Sequence, residues 1–161
     1  MHELTTPANA DGRPARSKDA QEPEFFHFDT DVYDRRIGLA VGPLKELNAA
    51  WLTERIRKAW PDLDQEGHVE LDDTDETVFA DAIRIQTEDG IVIRIVRIPR
   101  FDPGSPPDYA VLAHETFHLV CGTLKDLGVP HDDNEEAHAY LFEYIYRVFL
   151  EFLFGRDHGT H

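Results

Sequence analysis

The segment from Val111 to Cys121 reads Val-Leu-Ala-His-Glu-Thr-Phe-His-Leu-Val-Cys and contains the pattern H-E-x-x-H. Residues four apart on an α-helix lie one turn apart and within about 40° of each other around the axis. A helix here therefore presents His114 and His118 on one face, where both imidazoles can reach one Zn²⁺ at about 2.0–2.1 Å. Glu115 stands beside the first histidine and can take a proton from water on the metal. The pattern predicts a zinc-dependent hydrolase with Glu115 as its general base.

The residues around the motif predict a well-defined helix from Pro106 to Leu127. Ser105 is a favourable N-cap, Pro106 suits the first helical position, and Asp108 is expected to complete a capping box. Gly128 suits the position just after the helix. A second helix is predicted from about Asn134 to Phe154, and the short connection makes the two helices antiparallel neighbours.

Two histidines do not complete a catalytic zinc site, which needs a third protein ligand and an open coordination position. A metzincin extension requires Gly at position 121 and His at position 124, where this chain has Cys121 and Leu124. A glutamate from the following helix is the other common solution, and the candidates are Glu135 and Glu136. Glu136 also fits a capping box with Asp133, which is a structural role. The spacing leaves the choice between the two glutamates open.

The N-terminal half predicts a small sheet and one helix. Alternating apolar residues predict strands, and the favoured hairpin turn Asp89-Gly90 joins the last two of them. Apolar residues at helical spacing predict the intervening helix. The predicted strands are Glu24–Phe28, Val32–Val41, Ala82–Thr87 and Ile91–Ile98, and the helix is Leu44–Trp60. The fold class is therefore α+β, with a small antiparallel sheet packed on the motif helix and on a long C-terminal helix.

Length and composition limit the domain organisation and the partners. The chain has 161 residues, which is enough for one domain, predicted at residues 24–155 between a disordered tail at 1–23 and a tail at 156–161. The net charge of −16 disfavours nucleic acids and anionic membranes as partners. The acidic stretch 62–76 is interpreted as a solvated loop. A single cysteine, a polar N-terminus and no apolar run long enough for a membrane helix predict a cytoplasmic protein.

The two helices resemble a family. The motif segment, the following Leu127-Gly and the segment Glu135-Glu-Ala-His-Ala-Tyr-Leu141 are similar to small zinc metallopeptidases encoded by phages and prophages. In that family an L-A-H-E-x-F-H helix is followed by an E-x-x-A-Y-L helix start, matched here by Glu136, Ala139, Tyr140 and Leu141. The resemblance covers roughly residues 80–145. It implies a minimal zincin-like fold, zinc on His114, His118 and Glu136, and Glu115 as the base.

Two hypotheses about function follow. In the first, the protein hydrolyses peptide bonds, and the edge of the hairpin binds an extended peptide beside the motif helix. In the second, it is a non-catalytic structural or interaction protein, related to phages, on the same scaffold. The last helix is rich in aromatic residues and apolar over most of its circumference, which indicates a homodimer or a protein partner. Tyr140 is a candidate hydrogen-bond donor to an oxyanion, and His131 a candidate transition-state donor.

Overall fold

The computed structural model describes residues 22–30, 33, 35–63, 80–87, 89–132 and 134–155. Within these ranges the chain forms four strands and three helices, which confirms the α+β class. The elements are β1 (Glu24–Thr30), β2 (Arg35–Val41), α1 (Ala49–Ala59), β3 (Asp81–Gln86), β4 (Val92–Ile98), α2 (Pro106–Asp126) and α3 (Glu135–Gly155). Residues 1–21, 64–79 and 156–161, which hold most of both predicted tails and of the acidic loop, lie outside the described residues.

The four described strands form one mixed sheet in the order β1-β2-β4-β3. The outer pairs β1/β2 and β3/β4 are antiparallel, but the central pair β2/β4 is parallel. The prediction of an antiparallel sheet is therefore wrong for the central pair. The connection after β2 contains α1, and such a crossover lets a later strand run alongside β2 in the same direction. The hairpin turns at Gly90, whose φ of +87° favours glycine, and it leaves β3 at the outer edge of the sheet.

Helices cover both faces of the sheet. Side chains alternate along β4, so that Ile93 and Ile95 pack with α1 while Val96 and Ile98 pack with α2 and α3. One core holds the apolar faces of α2 and α3 and the other holds that of α1. The fully buried large residues from the three helices are Leu52, Leu112, Leu119, Leu124, Ile145 and Phe149.

The helix predicted from Leu44 begins five residues later, at Ala49. Leu44 and Leu47 have the spacing of a helix, but the backbone N–H of Leu47 donates to the carbonyl of Pro43 in a turn that precedes the helix. Asn48 is the N-cap, and its side-chain oxygen accepts a hydrogen bond from the Trp51 N–H at 3.1 Å. Leu47 reaches the core from this turn, so its burial does not require a helical backbone.

The ends of α2 agree with the prediction, but its capping does not. Ser105 occupies the N-cap position without a side-chain hydrogen bond, so the predicted capping box is wrong. The Asp108 carboxylate instead accepts a hydrogen bond from the backbone N–H of Asp102 at 2.9 Å and stabilises the preceding loop. Gly128 has a φ of +74°, as expected for the residue that ends a helix. The proposed cap Asp133 lies outside the described residues, and α3 begins at Glu135.

Helix α3 returns antiparallel to α2, with its start beside the middle of α2. The Tyr146 hydroxyl donates to the backbone carbonyl of Tyr109 at 3.4 Å, and the His131 ring meets the Phe117 ring at a centroid distance of 6.1 Å. Both helices rise about 1.5 Å per residue, so the first turns of α3 lie level with the motif. In the described part of the chain, no helix has the length and hydropathy needed to cross a membrane.

Candidate metal site

The two motif histidines converge at the surface of α2. Their Nε2 atoms are 3.0 Å apart, and the rings lie edge to face at a centroid distance of 4.6 Å. Two nitrogens at about 2.05 Å from one ion and 3.0 Å apart subtend about 94° at the ion, whereas a tetrahedral angle needs a separation of about 3.3 Å. The observed separation thus differs by only a few tenths of an ångström from that of two imidazoles on one Zn²⁺. Both residues are exposed, so an ion can reach them.

Glu115 lies where the motif meets the protein interior. It shares the sheet-facing side of α2 with Leu112 and Leu119, and only 8% of its surface is exposed. Burial raises the pKa of Glu115 above the usual carboxylic range, His114 and His118 oppose the rise, and the carboxylate of Asp81 on β3 adds to it. A carboxyl group with a raised pKa is better suited to accept and release a proton near neutral pH.

A cluster of charged side chains, which we call the arginine clamp, fixes α2 against the edge of the sheet. It consists of Arg84, Arg94 and Asp126, and Gly122 lies against it. The Asp126 carboxylate accepts from Arg94 Nη2 at 2.8 Å and from Arg84 Nε at 3.2 Å. Gly122 leaves room for the Arg94 guanidinium, because a Cβ atom there would lie 2.6 Å from its Cζ. The clamp therefore aligns the edge strand β3 along the helix that carries the motif.

The third predicted ligand does not join the two histidines. Among the residues that the structure describes, no group of three His, Cys, Asp or Glu side chains is placed to hold a metal ion. Glu135 and Glu136 are both exposed at the start of α3. His138 faces the core, and a residue two positions earlier lies about 160° around the helix, so Glu136 points away from that core. The structure thus brings His114 and His118 together, and no third ligand joins them among the described residues.

A second pair of histidines was not anticipated. His131 and His138 lie edge to face at a centroid distance of 4.6 Å, and His131 also contacts Phe117. His138 is only 4% exposed, and its Nδ1 is 3.0 Å from the carbonyl oxygen of Asn134. The apolar arc of α3 predicts that His138 is buried, but no sequence spacing predicts that a residue in the preceding turn meets it.

The other candidate residues have ordinary surroundings. Tyr140 is 70% exposed. Burial raises the pKa of the Cys121 thiol, which disfavours a thiolate near the histidines. Much of the aromatic surface of α3 is packed internally, since Phe149 and Phe152 meet Phe28 of β1 and Phe142 stacks on Tyr146.

Comparisons of the chain with protein-family models, with curated proteins and with solved structures found no match. The functional interpretation therefore depends on the geometry of the motif and on the elements that surround it.

Proposed function

We propose that this protein is a zinc-dependent hydrolase of peptide bonds, in which His114 and His118 bind the metal and Glu115 is the general base. The observation that supports this best is the 3.0 Å separation of the two Nε2 atoms beside a largely buried carboxylate. Burial of a carboxylate costs free energy unless the group is paired or hydrogen-bonded, and groups with perturbed pKa values cluster at active sites.

Glu115 and the two histidines have different roles in the proposed reaction. Zinc, when bound, acidifies water and polarises a carbonyl group. Glu115 takes the proton from the attacking water and passes it to the leaving amide nitrogen. His114 and His118 must both present unprotonated Nε2 atoms, so each ring carries its proton on Nδ1 when it binds a metal.

The resemblance implies Glu136 as the third ligand, and we retain it as part of the proposal. The exposed carboxylate lies on a helix whose first turns are level with the motif. Binding requires this part of α3 to move relative to the two histidines, or the Glu136 side chain to reach around the surface of α2. Substitution of Glu136 by Gln should weaken zinc binding, whereas the matched Glu135→Gln variant should not.

The outer strand β3 supplies a place for the substrate. Among the described strands it is an edge of the sheet, and the arginine clamp holds it against α2. An extended peptide can pair with the edge of such a strand through backbone hydrogen bonds. Its carbonyl groups would then run beside the helix that carries the general base.

Hydrolysis of fluorescein-labelled casein by the zinc-loaded protein tests the proposal. We expect the wild-type protein to cleave casein and Glu115→Gln to retain zinc while losing at least about 100-fold in rate. The matched control is Glu143→Gln, an exposed residue of α3 whose loss should leave the rate unchanged. A Glu115→Gln protein with wild-type activity would refute the role of Glu115.

The lack of a three-ligand group among the described residues favours a second candidate, a binding protein without catalysis on the same scaffold. This candidate predicts that the casein assay gives no cleavage at any zinc concentration. It also predicts that Glu115→Gln leaves the binding properties of the protein unchanged.

A further inference from the structure

We propose that Arg84, supported by Arg94, is a specificity residue that recognises a carboxylate side chain of a peptide bound along β3. This inference rests on the proposed function, because it assigns a substrate class to the same site. It concerns acidic residues at a fixed distance from the cleaved bond.

The first observation is an excess of positive charge in the arginine clamp. One oxygen of Asp126 accepts hydrogen bonds from both Arg84 and Arg94, so two cations share one anion. Arg94 is 9% exposed, and its Nε atom is buried without a hydrogen-bond partner among the described residues.

The second observation is the accessibility of Arg84. Its side chain is 40% exposed and lies on the outermost of the described strands. Its bond to Asp126 directs it to the face of β3 that α2 covers, which is the face that carries the motif helix. A peptide strand added to this edge would place every second side chain on that same face.

Pairing with β3 fixes which side chain of the peptide faces Arg84, because a paired peptide has the same rise per residue as the strand. The recognised side chain therefore lies at one fixed distance from the cleaved bond. An Asp or Glu side chain there would neutralise the remaining positive charge of the arginine clamp and accept a charge-assisted hydrogen bond from it.

The test uses two pools of random dodecapeptides, one with all residues except Cys and one in which Asn and Gln replace Asp and Glu. Binding of each pool is measured by competition against a fluorescein-labelled peptide from the first pool, and cleavage sites are mapped by mass spectrometry. We expect about fivefold tighter binding of the acidic pool. We also expect enrichment of Asp or Glu at one fixed distance from the cleaved bond.

The Arg84→Gln variant should abolish both preferences. The matched control is Arg147→Gln, which removes the same charge from a side chain on α3 that is 60% exposed, and it should preserve both. Cleavage without an acidic preference, or equal effects of the two variants, would overturn the inference and leave the proposed function intact. Binding that depends on Arg84 without cleavage would support the inference and refute the proposed function. Absence of binding to either pool would overturn the inference.

Discussion

Substitution of Gly122 by Ala tests whether the arginine clamp holds the motif helix. Alanine in a helix interior normally stabilises a protein relative to glycine by about 1 kcal/mol. Here the added Cβ would lie 2.6 Å from Cζ and 2.8 Å from Nη2 of Arg94, so the guanidinium must move. Movement breaks its 2.8 Å bond to Asp126, and a hydrogen bond between charged groups contributes about 1.5–3 kcal/mol. We expect a net loss of about 1 kcal/mol in the free energy of unfolding.

The assay is urea denaturation of the metal-free protein at pH 7, supported by thermal unfolding. The expected loss corresponds to a decrease of about 2–4 °C in the melting temperature for a chain of this size. In an Arg94→Ala background the steric conflict is absent, and Gly122→Ala should then stabilise the protein by about 1 kcal/mol. The coupling energy of the double-mutant cycle is therefore about 2 kcal/mol. Equal stabilisation by alanine in both backgrounds would refute the tight packing of Arg94 against α2.

Two further predictions concern stability. Burial disfavours ionisation of Asp126, but hydrogen bonds from Arg94 and Arg84 outweigh burial and lower the pKa of Asp126. The stability that the charge of Asp126 contributes is therefore present above about pH 4 and is lost as the pH falls through the lowered pKa. The difference in unfolding free energy between wild type and Asp126→Asn should thus shrink from about 1 kcal/mol at pH 7 towards zero near pH 2, and a constant difference would contradict the ion pairs. Phe149 is fully buried between α3 and the sheet, so Phe149→Ala should cost about 3–5 kcal/mol in urea denaturation, and a loss below about 1 kcal/mol would contradict the described core.

Short sequence patterns predict those parts of the fold in which single residues restrict the backbone. Helix α2 has the expected ends because Pro106 and Gly128 restrict the backbone at those positions. The hairpin turns at Gly90 for the same reason. The parallel pairing of β2 with β4 was missed because it depends on a crossover between distant segments, which no short pattern encodes. Helix α1 was predicted too long because Leu47 has helical spacing in a residue that belongs to a turn.

In the candidate site, too, features set by neighbouring residues are predictable from the sequence, and features set by packing between distant segments are not. The convergence of His114 and His118 follows from helical spacing alone, and the burial of Glu115 follows from its position beside the apolar face of α2. The position of Glu136 depends on the packing of α3 against α2, so spacing could not determine whether it meets the histidines. The clamp of Arg84 and Arg94 on Asp126 joins residues 42 and 32 positions apart and has no signature in the sequence.

In the proposed site, His114 and His118 together bind one zinc ion. The most direct measurement is isothermal titration of the metal-free protein with zinc at pH 7.5, repeated with His118→Asn and with His131→Asn. His131 is the matched control, since its ring lies 4.6 Å from that of His138, the same centroid distance as in the motif pair. We predict one zinc ion per chain for the wild-type protein and for His131→Asn, and loss of that ion in His118→Asn. Retention of the ion by His118→Asn, or its loss in His131→Asn alone, would contradict the proposed site.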